Sequence, residues 1–295
     1  MNAAVPPSTL APGVKGRTSI FPVIGHPVTQ VKAPMAFNAL FRSAEVDALV
    51  VPLDLPPETV VETCRTLLAS PSIGGLLVTV PYKKTLFELV DQPGEAAQLV
   101  GAVNVLRQSA EGAILGNLFD GVGLLSGFRA AGHDPKGRRI MILGAGGAGS
   151  AIAAALKSAN PGRIGIFDPD FVQASRLAGQ LGSTSASLPI EPLRSTSGVS
   201  CDVVINATPL GLKESDPLPI DPATFAADTL VVDVIMEPAT TALLRLAAVR
   251  GLPTHPGRPM LDHQLPAYLD SFQLQSAAEL ARSSLQSGAS APLLF

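Results

Sequence analysis

The sequence predicts an α/β protein built on largely parallel sheets. Strand and helix patterns alternate through the first half of the chain, and the alternation resumes with longer units from Asp120 onward. A glycine-rich run follows directly on the apolar segment Arg139–Leu143. Alternating strands and helices are typical of parallel sheets. The length of 295 residues suggests two domains, since a domain usually holds roughly 100–200 residues.

Three strands and two helices are predicted in the first half. The strands cover residues 18–24, 46–53 and 76–80, and Pro81 ends the last of them because proline cannot donate to a strand ladder. One helix opens at Pro34, a residue favoured in a first helical turn. Its apolar positions follow helical spacing at Phe37, Leu40, Phe41 and Ala44. The other helix covers residues 57–68 and is expected to bury Val60, Val61, Cys64, Leu67 and Leu68.

The second half predicts a second sheet with longer connections. Its strands are expected at residues 139–143, 163–167, 202–206 and 230–234. Helices are expected at residues 147–158 and 240–250, the latter ended by Gly251. A last helix is predicted to start near Pro266, with one apolar face formed by Leu265, Tyr268, Leu269 and Phe272.

Composition excludes several classes of partner. Charged residues make up 15% of the chain and the net charge is -3, so no basic stripe is available for nucleic acid. The mean hydropathy of +0.34 raises the alternative of a membrane span at residues 140–156, but the glycines inside that stretch favour strand, turn and helix. Residues 1–16 lack the pattern of a secretory signal and are expected to form a disordered tail. A cytoplasmic protein with a small-molecule substrate, no membrane partner and a monomeric or homodimeric state is therefore expected.

The glycine run has the spacing G-x-G-x-x-G. It consists of Gly144, Ala145, Gly146, Gly147, Ala148 and Gly149. In a dinucleotide-binding loop the first glycine permits a tight turn, the second lets the backbone approach the pyrophosphate, and the third lets helix and strand pack closely. The following helix offers free N–H groups to the phosphates. A methyltransferase-like or flavin-binding loop of similar shape is the alternative, but the preceding strand and following helix favour a nicotinamide dinucleotide.

Asp168 bears on the choice between NAD and NADP. It ends the second strand of this half, about 20 residues after the loop, where a ribose-binding carboxylate is expected. A carboxylate would repel the 2′-phosphate of NADP, and no arginine follows in residues 169–171. NAD is therefore favoured and NADP is the alternative. Asp168 or Asp170 would otherwise cap the next helix.

Several runs of the sequence resemble the shikimate/quinate dehydrogenase family, and the resemblance covers nearly the whole chain from Phe21 to Phe272. Besides the glycine loop, five runs carry it, at residues 78–83, 101–104, 116–121, 206–211 and 257–264. The resemblance implies a substrate domain at residues 17–119 plus 263–295, to which a C-terminal helix returns. It also implies a doubly wound Rossmann-type NAD(P)-binding domain at residues 120–262. The implied setting is aromatic amino acid biosynthesis or quinate metabolism.

The resemblance assigns roles to individual residues. Lys83 and Asp120 match the family's catalytic pair, while Thr79, Asn104 and Gln264 match positions that bind substrate. Thr208, Pro209, Leu210, Val234 and Gly257 are expected at the cofactor. Proton transfer to and from an alcohol oxygen suits a lysine that an adjacent carboxylate orients. A plain salt bridge is the alternative for the pair, and a polar residue at a helix N-terminus is the alternative for Gln264.

The sequence departs from the family at the substrate carboxylate. Val31 and Ala33 stand where the family usually has two serines, and Met236 stands where a tyrosine is usual. Two lost hydrogen bonds to a charged group would weaken carboxylate binding by roughly two to four orders of magnitude. Lys32 would hold a carboxylate from another angle, or would be a solvated loop charge.

Three functions therefore stay open at the level of sequence. The first is a dehydrogenase acting on shikimate, quinate or a close cyclic polyol acid. The second is a relative with a less acidic cyclic alcohol as substrate. The third is a non-catalytic sensor of ligand and dinucleotide, against which the retention of both Lys83 and Asp120 argues.

Overall fold

A computed structural model describes residues 13–183 and 188–287. The first elements in chain order are β1 (Ser19–Gly25), α1 (Ala33–Ser43), β2 (Ala48–Asp54), α2 (Val60–Leu68), β3 (Leu76–Val78), β4 (Gln92–Pro93), α3 (Glu95–Val100), β5 (Val105–Gln108) and β6 (Ile114–Asn117). The remaining elements are α4 (Asp120–Ala130), β7 (Arg139–Leu143), α5 (Gly147–Lys157), β8 (Arg163–Phe167), α6 (Phe171–Gly182), β9 (Ile190–Leu193), β10 (Val203–Asn206), β11 (Leu230–Asp233), α7 (Ala242–Val249), β12 (Thr254–His255), α8 (Arg258–Ser271) and α9 (Gln275–Gln286).

The chain divides into two compact units. Of the described residues, the first unit contains 13–82, 105–114 and 266–287. The second contains 83–104, 115–183 and 188–265. The predicted boundaries at 119/120 and 262/263 describe functional domains and stay a prediction; by its contacts, the segment 83–104 belongs with the second unit.

Strands β2, β1, β3 and β5 lie side by side in the first unit. β1 pairs in parallel with β2 and β3, and β3 pairs antiparallel with β5. Aromatic rings fill the core beside them: Phe21 lies 4.7 Å from Phe272 and Phe37 lies 5.7 Å from Tyr268, measured between ring centroids. These contacts are possible because α1 buries Phe37, Leu40 and Phe41 as predicted, and α8 brings its last turns into this unit. The fourth predicted position, Ala44, follows the last residue of α1 and is partly buried.

The second unit is organised around a parallel sheet in the order β12-β11-β10-β7-β8-β9. Leu143 pairs with Phe167, Phe167 with Leu193, and Leu143 with Asn206 on the other side. The carboxyl ends of the central strands therefore lie level with one another. Chain order runs outward from β7 in both directions, and ligands of such sheets bind at the carboxyl ends beside this switch point.

The predicted strands of this sheet are confirmed, with β7 and β8 at the expected bounds. Buried parallel strands are continuous apolar runs, which is why the sequence marks them clearly. Gly251 adopts a left-handed φ of 75° just after Arg250, the C-cap of α7, as the predicted helix end requires. Asp170 caps α6 by accepting the Val172 N–H at 3.0 Å, so the capping alternative holds for Asp170 and not for Asp168.

The predicted start of the C-terminal helix was wrong, whereas its predicted apolar residues Leu265, Tyr268, Leu269 and Phe272 are buried. The helix begins at Arg258, runs through Pro266 and is followed by α9. A proline inside a helix removes a hydrogen bond, but the buried side chains of Met260 and Leu261 and the Arg258–Asp262 ion pair at 2.7 Å stabilise the turns before it. Helix α9 buries only alanines, Ala277, Ala278 and Ala281, so it lacked a strong apolar signal.

Among the described residues, no helix is both long and apolar enough to cross a membrane.

Cys64 and Cys201 are free and buried, as expected of small core residues. Burial raises the pKa of Cys64 to about 12 and that of Cys201 to about 11, so both thiols stay protonated at neutral pH. Most of the predicted tail, residues 1–12, lies outside the described residues.

His255 is an uncompensated polar group in the core of the second unit. Its side chain packs edge-on against Phe128 at 4.9 Å and against His133 at 5.4 Å, between ring centroids. The residue is 2% exposed, and its Nε2 atom has no hydrogen-bond partner among the described residues. Burial, with smaller contributions from His133 and His263, lowers the pKa of His255 to about 4.

We expect His255 to make the protein acid-sensitive. Because the pKa of His255 is lower in the folded than in the unfolded chain, its contribution to stability is complete above pH 6.5 and is lost as the pH falls from 6.5 towards about 4. The loss is about 3 kcal/mol at most. The free energy of unfolding, measured in urea at pH 7 and at pH 4.5, should change less with pH in His255→Leu than in wild type. An equal pH dependence of the free energy of unfolding in His255→Leu and in wild type would contradict the assignment.

Candidate active site

Lys83 and Asp120 are in direct contact within the second unit. The Lys83 ammonium donates a hydrogen bond to Asp120 Oδ2, and the two side chains are only 13% and 6% exposed. The backbone carbonyl of Lys83 accepts the Val103 N–H at 2.8 Å, which fixes the start of the lysine side chain. An ammonium held in this way, with little water around it, is oriented for proton transfer. The same contact would also be made by a plain salt bridge, so the contact alone does not decide between the two.

Glycines of α4 fix the position of Asp120, the first residue of that helix. A Cβ atom added to Gly121 would lie 2.1 Å from the Ala151 carbonyl oxygen in α5. One added to Gly123 would lie 2.2 Å from the Met260 carbonyl oxygen in α8. Helix α4 therefore approaches both neighbours backbone to backbone. The glycine spacing at 121, 123 and 127 is the sequence signal of this packing, and it was not used in the sequence prediction.

Asn104 and Gln264, predicted to bind substrate, meet in a buried position. Asn104 is fully buried; its Oδ1 accepts the Phe119 N–H at 3.0 Å and its Nδ2 donates to Gln264 Oε1 at 3.4 Å. Gln264 is 3% exposed and lies inside α8, so the helix N-terminal alternative for it was wrong. The two amides hold one another in a defined orientation next to the segment that leads into Asp120.

The glycines of the loop after β7 have different reasons to be glycine. Gly144 has a φ of 100°, and a Cβ on Gly149 would lie 1.9 Å from the Gly144 carbonyl oxygen. Gly146 has an ordinary φ of -74°, and no described atom lies within 4 Å of the place its Cβ would take. The fold thus requires the first and third glycines. The second leaves space for something outside the chain, and this fits the approach of a pyrophosphate to the N-terminus of α5.

The same loop adjoins the lysine. A Cβ on Gly147 would lie 3.4 Å from Lys83 Cδ, so the aliphatic part of Lys83 runs beside the first turn of α5. Ala145 is buried and Ala148 follows in that turn. The candidate proton-transfer group and the candidate phosphate-binding loop are therefore neighbours.

Asp168 holds the glycine loop from the next strand. Its Oδ2 accepts the Ala145 N–H at 2.8 Å and its Oδ1 accepts the Asp170 N–H at 2.9 Å. Each carboxylate oxygen still has a lone pair for a ribose hydroxyl. The predicted ribose-binding residue thus also has a structural role that the sequence did not predict.

A buried polar network shapes the Asn206–Gly211 loop after β10. Asn206 Oδ1 accepts hydrogen bonds from the Thr208 N–H and hydroxyl, and its Nδ2 donates to the Leu210 carbonyl at 3.0 Å. Asp233, at the end of β11, accepts from Asn206 at 3.2 Å and from the Thr241 hydroxyl at 2.8 Å. Burial raises the pKa of Asp233. The sequence prediction missed Asp233; an acid that ends an apolar strand is the signal that would have found it.

The remaining predicted residues of the second unit lie around the carboxyl end of β11. A Cβ on Gly257 would lie 2.4 Å from the Ile235 carbonyl oxygen and 2.5 Å from Val234 atoms, so the backbones touch here. Val234 and Met236 are partly buried and pack against the core cluster of the sheet. Pro209 lies between Thr208 and Leu210 in the loop described above.

Three predicted substrate residues belong to the first unit. Thr79 follows β3, donates its N–H to the Ile24 carbonyl at 2.9 Å, and fills the space beside Gly25 at the end of β1. Val31 donates its N–H to Val28, and Ala33 is the first residue of α1. Neither residue offers a side-chain hydrogen-bond donor to a ligand.

The segment that contains Val31 and Ala33 is anchored by Asp54. This carboxylate accepts the Val28 N–H at 3.2 Å and is paired with His26 at 2.6 Å, and the hydrogen bond from His26 is the main reason that the pKa of Asp54 is lowered. No group of three or more His, Cys, Asp or Glu side chains suited to a metal ion occurs in residues 13–183 and 188–287.

Known proteins resemble this chain over most of its length. The sequence model of the shikimate dehydrogenase substrate binding domain matches residues 23–106. The shikimate dehydrogenase (NADP(+)) of Rubrobacter xylanophilus is 37% identical over 256 residues, which is 86% of this chain and 90% of that protein.

Solved structures give the same result. The ligand-free 5-ketofructose reductase of Gluconobacter sp. strain CHM43 superposes with a TM-score of 0.78 at 25% identity, covering 91% of this chain and 99% of that one. The quinate dehydrogenase of Corynebacterium glutamicum, solved in complex with NAD, superposes with a TM-score of 0.75 at 25% identity. The match covers 92% of this chain and 99% of that one. The chain belongs to the shikimate dehydrogenase family of NAD(P)-dependent oxidoreductases.

Proposed function

We propose that this protein is an NAD-preferring dehydrogenase that oxidises a secondary alcohol of a cyclic polyol acid of the shikimate or quinate class, and reduces the corresponding ketone. The observation that carries the proposal is the shielded contact between Lys83 and Asp120 beside the glycine loop. The proposal includes a cytoplasmic location and a monomeric or homodimeric state, both of which stay predictions.

The chemistry divides between cofactor and protein. When bound, the nicotinamide ring accepts or delivers the hydride. Lys83 would hold the substrate oxygen and transfer its proton at Nζ, while Asp120 keeps the ammonium oriented and balances its charge. Asn104 and Gln264 would orient ring hydroxyls through amide groups that already hold one another. Positioning of this kind lowers the entropic part of the barrier.

The preference for NAD rests on two neighbouring residues. Asp168 would repel the 2′-phosphate of NADP, and Pro169 after it carries no positive charge that could bind this phosphate. At about 4 Å and an effective dielectric constant near 20, repulsion between two unit charges costs on the order of 4 kcal/mol. The NAD complex of the quinate dehydrogenase relative supports this choice. The Rubrobacter relative is named for NADP(+), so NADP is the alternative cofactor.

A second candidate substrate class is a cyclic alcohol without a carboxylate. Val31 and Ala33 provide no hydroxyl for a substrate carboxylate, and one structural relative is named as a reductase of 5-ketofructose, a neutral sugar. The discriminating quantity is the KM for shikimate and quinate. Turnover at micromolar concentrations supports the acid class, whereas turnover only at many millimolar supports the neutral class.

We expect initial rates of cofactor reduction, measured with shikimate and quinate, to give a kcat/KM at least tenfold higher with NAD⁺ than with NADP⁺. The Asp168→Asn variant should narrow this ratio because it removes the negative charge and retains one acceptor oxygen for the loop. Asp170→Asn is the matched control, since asparagine also caps helices well and should leave the ratio unchanged. Equal efficiency of the two cofactors with wild type would contradict the role of Asp168.

The Lys83→Ala variant should lose turnover by at least about 100-fold, because general acid–base groups typically contribute 10²–10⁴-fold. Its dissociation constant for NAD⁺, measured by calorimetry, should stay close to that of wild type. The neighbouring Lys84→Ala serves as the control for loss of a positive charge nearby and should retain turnover at saturating NAD⁺. Normal turnover of Lys83→Ala would contradict the catalytic role of Lys83 and Asp120. If wild type binds ligand and dinucleotide without any turnover, a sensor function is favoured instead.

The second glycine of the loop offers a test that separates binding from folding. Gly146→Val should change the free energy of unfolding by no more than about 1 kcal/mol, since the new side chain points into open space. It should weaken NAD⁺ binding by tenfold or more because the side chain occupies the place of the pyrophosphate. Gly149→Ala should instead lower the melting temperature, because its Cβ meets the Gly144 carbonyl oxygen. Unaltered NAD⁺ affinity in Gly146→Val would show that the loop does not bind a dinucleotide.

A further inference from the structure

Three strand ends lie level at one edge of the sheet in the second unit. Because Leu143 pairs with Phe167 and Phe167 with Leu193, the next residue of each strand emerges at the same height. These residues are Gly144, Asp168 and Arg194. Neighbouring strands are about 4.8 Å apart, so the backbones of Asp168 and Arg194 start side by side.

The Arg194 guanidinium lies over an aromatic ring. Its guanidinium carbon lies 3.8 Å from the centroid of the Phe171 ring, in the first residue of α6. This geometry is a cation–π contact, which restrains the guanidinium over the ring. Arg194 is exposed, and no hydrogen bond or ion pair joins its guanidinium to another residue within 13–183 and 188–287.

Strand order determines which end of a dinucleotide would reach Arg194. The pyrophosphate would lie at the loop after β7, and a ribose at Asp168 after β8, the next strand outward. The base attached to that ribose then continues in the same direction, towards the end of β9. The other nucleoside must turn towards β10 on the opposite side of β7, where the Asn206–Gly211 loop lies beside Gly144.

We propose that Arg194, supported by Phe171, is the stacking platform for the adenine ring of the cofactor. One face of the guanidinium is covered by Phe171, and adenine would stack on the other, as bases commonly do on arginine and aromatic planes. The proposal rests on the proposed function, because it assumes that the loop binds a nicotinamide dinucleotide. Adenine is common to NAD and NADP, so it holds for either cofactor.

The charge of this edge fits a nucleotide. Two further cations, Lys84 and Arg176, are close enough to influence one another, and Asp168 acts on Lys84 with the opposite sign. Partial burial, and to a lesser extent Arg176, lower the pKa of Lys84. The edge therefore combines the three cations Arg194, Lys84 and Arg176 with Asp168 and Asp170.

The test is calorimetric binding of NAD⁺, NADP⁺ and ADP-ribose, which carries the adenosine without the nicotinamide. Arg194→Ala should weaken binding of ADP-ribose and of the preferred dinucleotide by about tenfold, the typical effect of losing one base-stacking partner. At saturating dinucleotide, kcat should be unchanged, because the adenine is remote from the reacting carbon. Phe171→Leu should weaken the binding of the same ligands less than Arg194→Ala does, because the guanidinium is still present but no longer rests on an aromatic ring.

Matched variants separate stacking from charge and from folding. Arg194→Lys keeps the charge without a plane and should bind as weakly as Arg194→Ala; full affinity in this variant would overturn the platform. Arg163→Ala removes an exposed arginine at the amino end of β8 and should bind as wild type does. If wild type binds these ligands and Arg194→Ala binds them with the same affinity, the inference about Arg194 is overturned while the proposed function stands. Failure of wild type to bind any of the three ligands would overturn the proposed function as well.

Discussion

The close approach of α4 to α5 and α8 governs the geometry of the second unit. It depends on Gly121 and Gly123, where an added Cβ would lie within 2.2 Å of a neighbouring backbone oxygen. Each of the three helices carries one part of the candidate site: α4 begins with Asp120, α5 begins with the glycine loop, and α8 contains Gln264. A side chain at either glycine would move these parts relative to one another by more than a hydrogen bond tolerates.

The loops of the site are restrained by buried polar side chains as well as by packing. Asp233 is fully buried and joins Asn206 to Thr241, so the loop after β10 and the start of α7 share one carboxylate. Asp168 does the same for the glycine loop and the turn before α6. Preorganised groups of this kind need little reorganisation when a ligand binds, and this is the usual origin of both affinity and rate.

The sequence predicted the parts of the fold that depend on continuous apolar runs. β7 and β8 were placed correctly, and α1 begins within one residue of the expected proline, because burial dictates those residues. The short strands β5, β6, β9 and β12 were not predicted, since two to four residues carry too little pattern. The C-terminal helices were misplaced because Pro266 is tolerated inside α8 and α9 buries only small side chains.

In the candidate site, too, the residues with a distinctive sequence pattern were predicted and those without one were not. Motif resemblance identified Lys83 and Asp120, which the structure brings into contact, and Asn104 and Gln264, which it also joins. Motifs do not identify Arg194, because an isolated arginine after a short strand has no distinctive neighbours in sequence. Only the register of β8 and β9 and the contact with Phe171 show that it lies beside Asp168 at the carboxyl edge of the sheet.

The geometry also limits how strongly Asp168 can select against a 2′-phosphate. Both of its oxygens accept backbone N–H groups, which delocalise part of the negative charge, and Lys84 and Arg176 act on the same region. A repulsion on the order of 4 kcal/mol corresponds to about a thousandfold, and it applies to a carboxylate without such compensation. With this compensation, we expect Asp168 to select against a 2′-phosphate less strongly than an isolated carboxylate would. Members of one family can therefore differ in cofactor by the charges around a shared ribose position, without any change in the glycine loop.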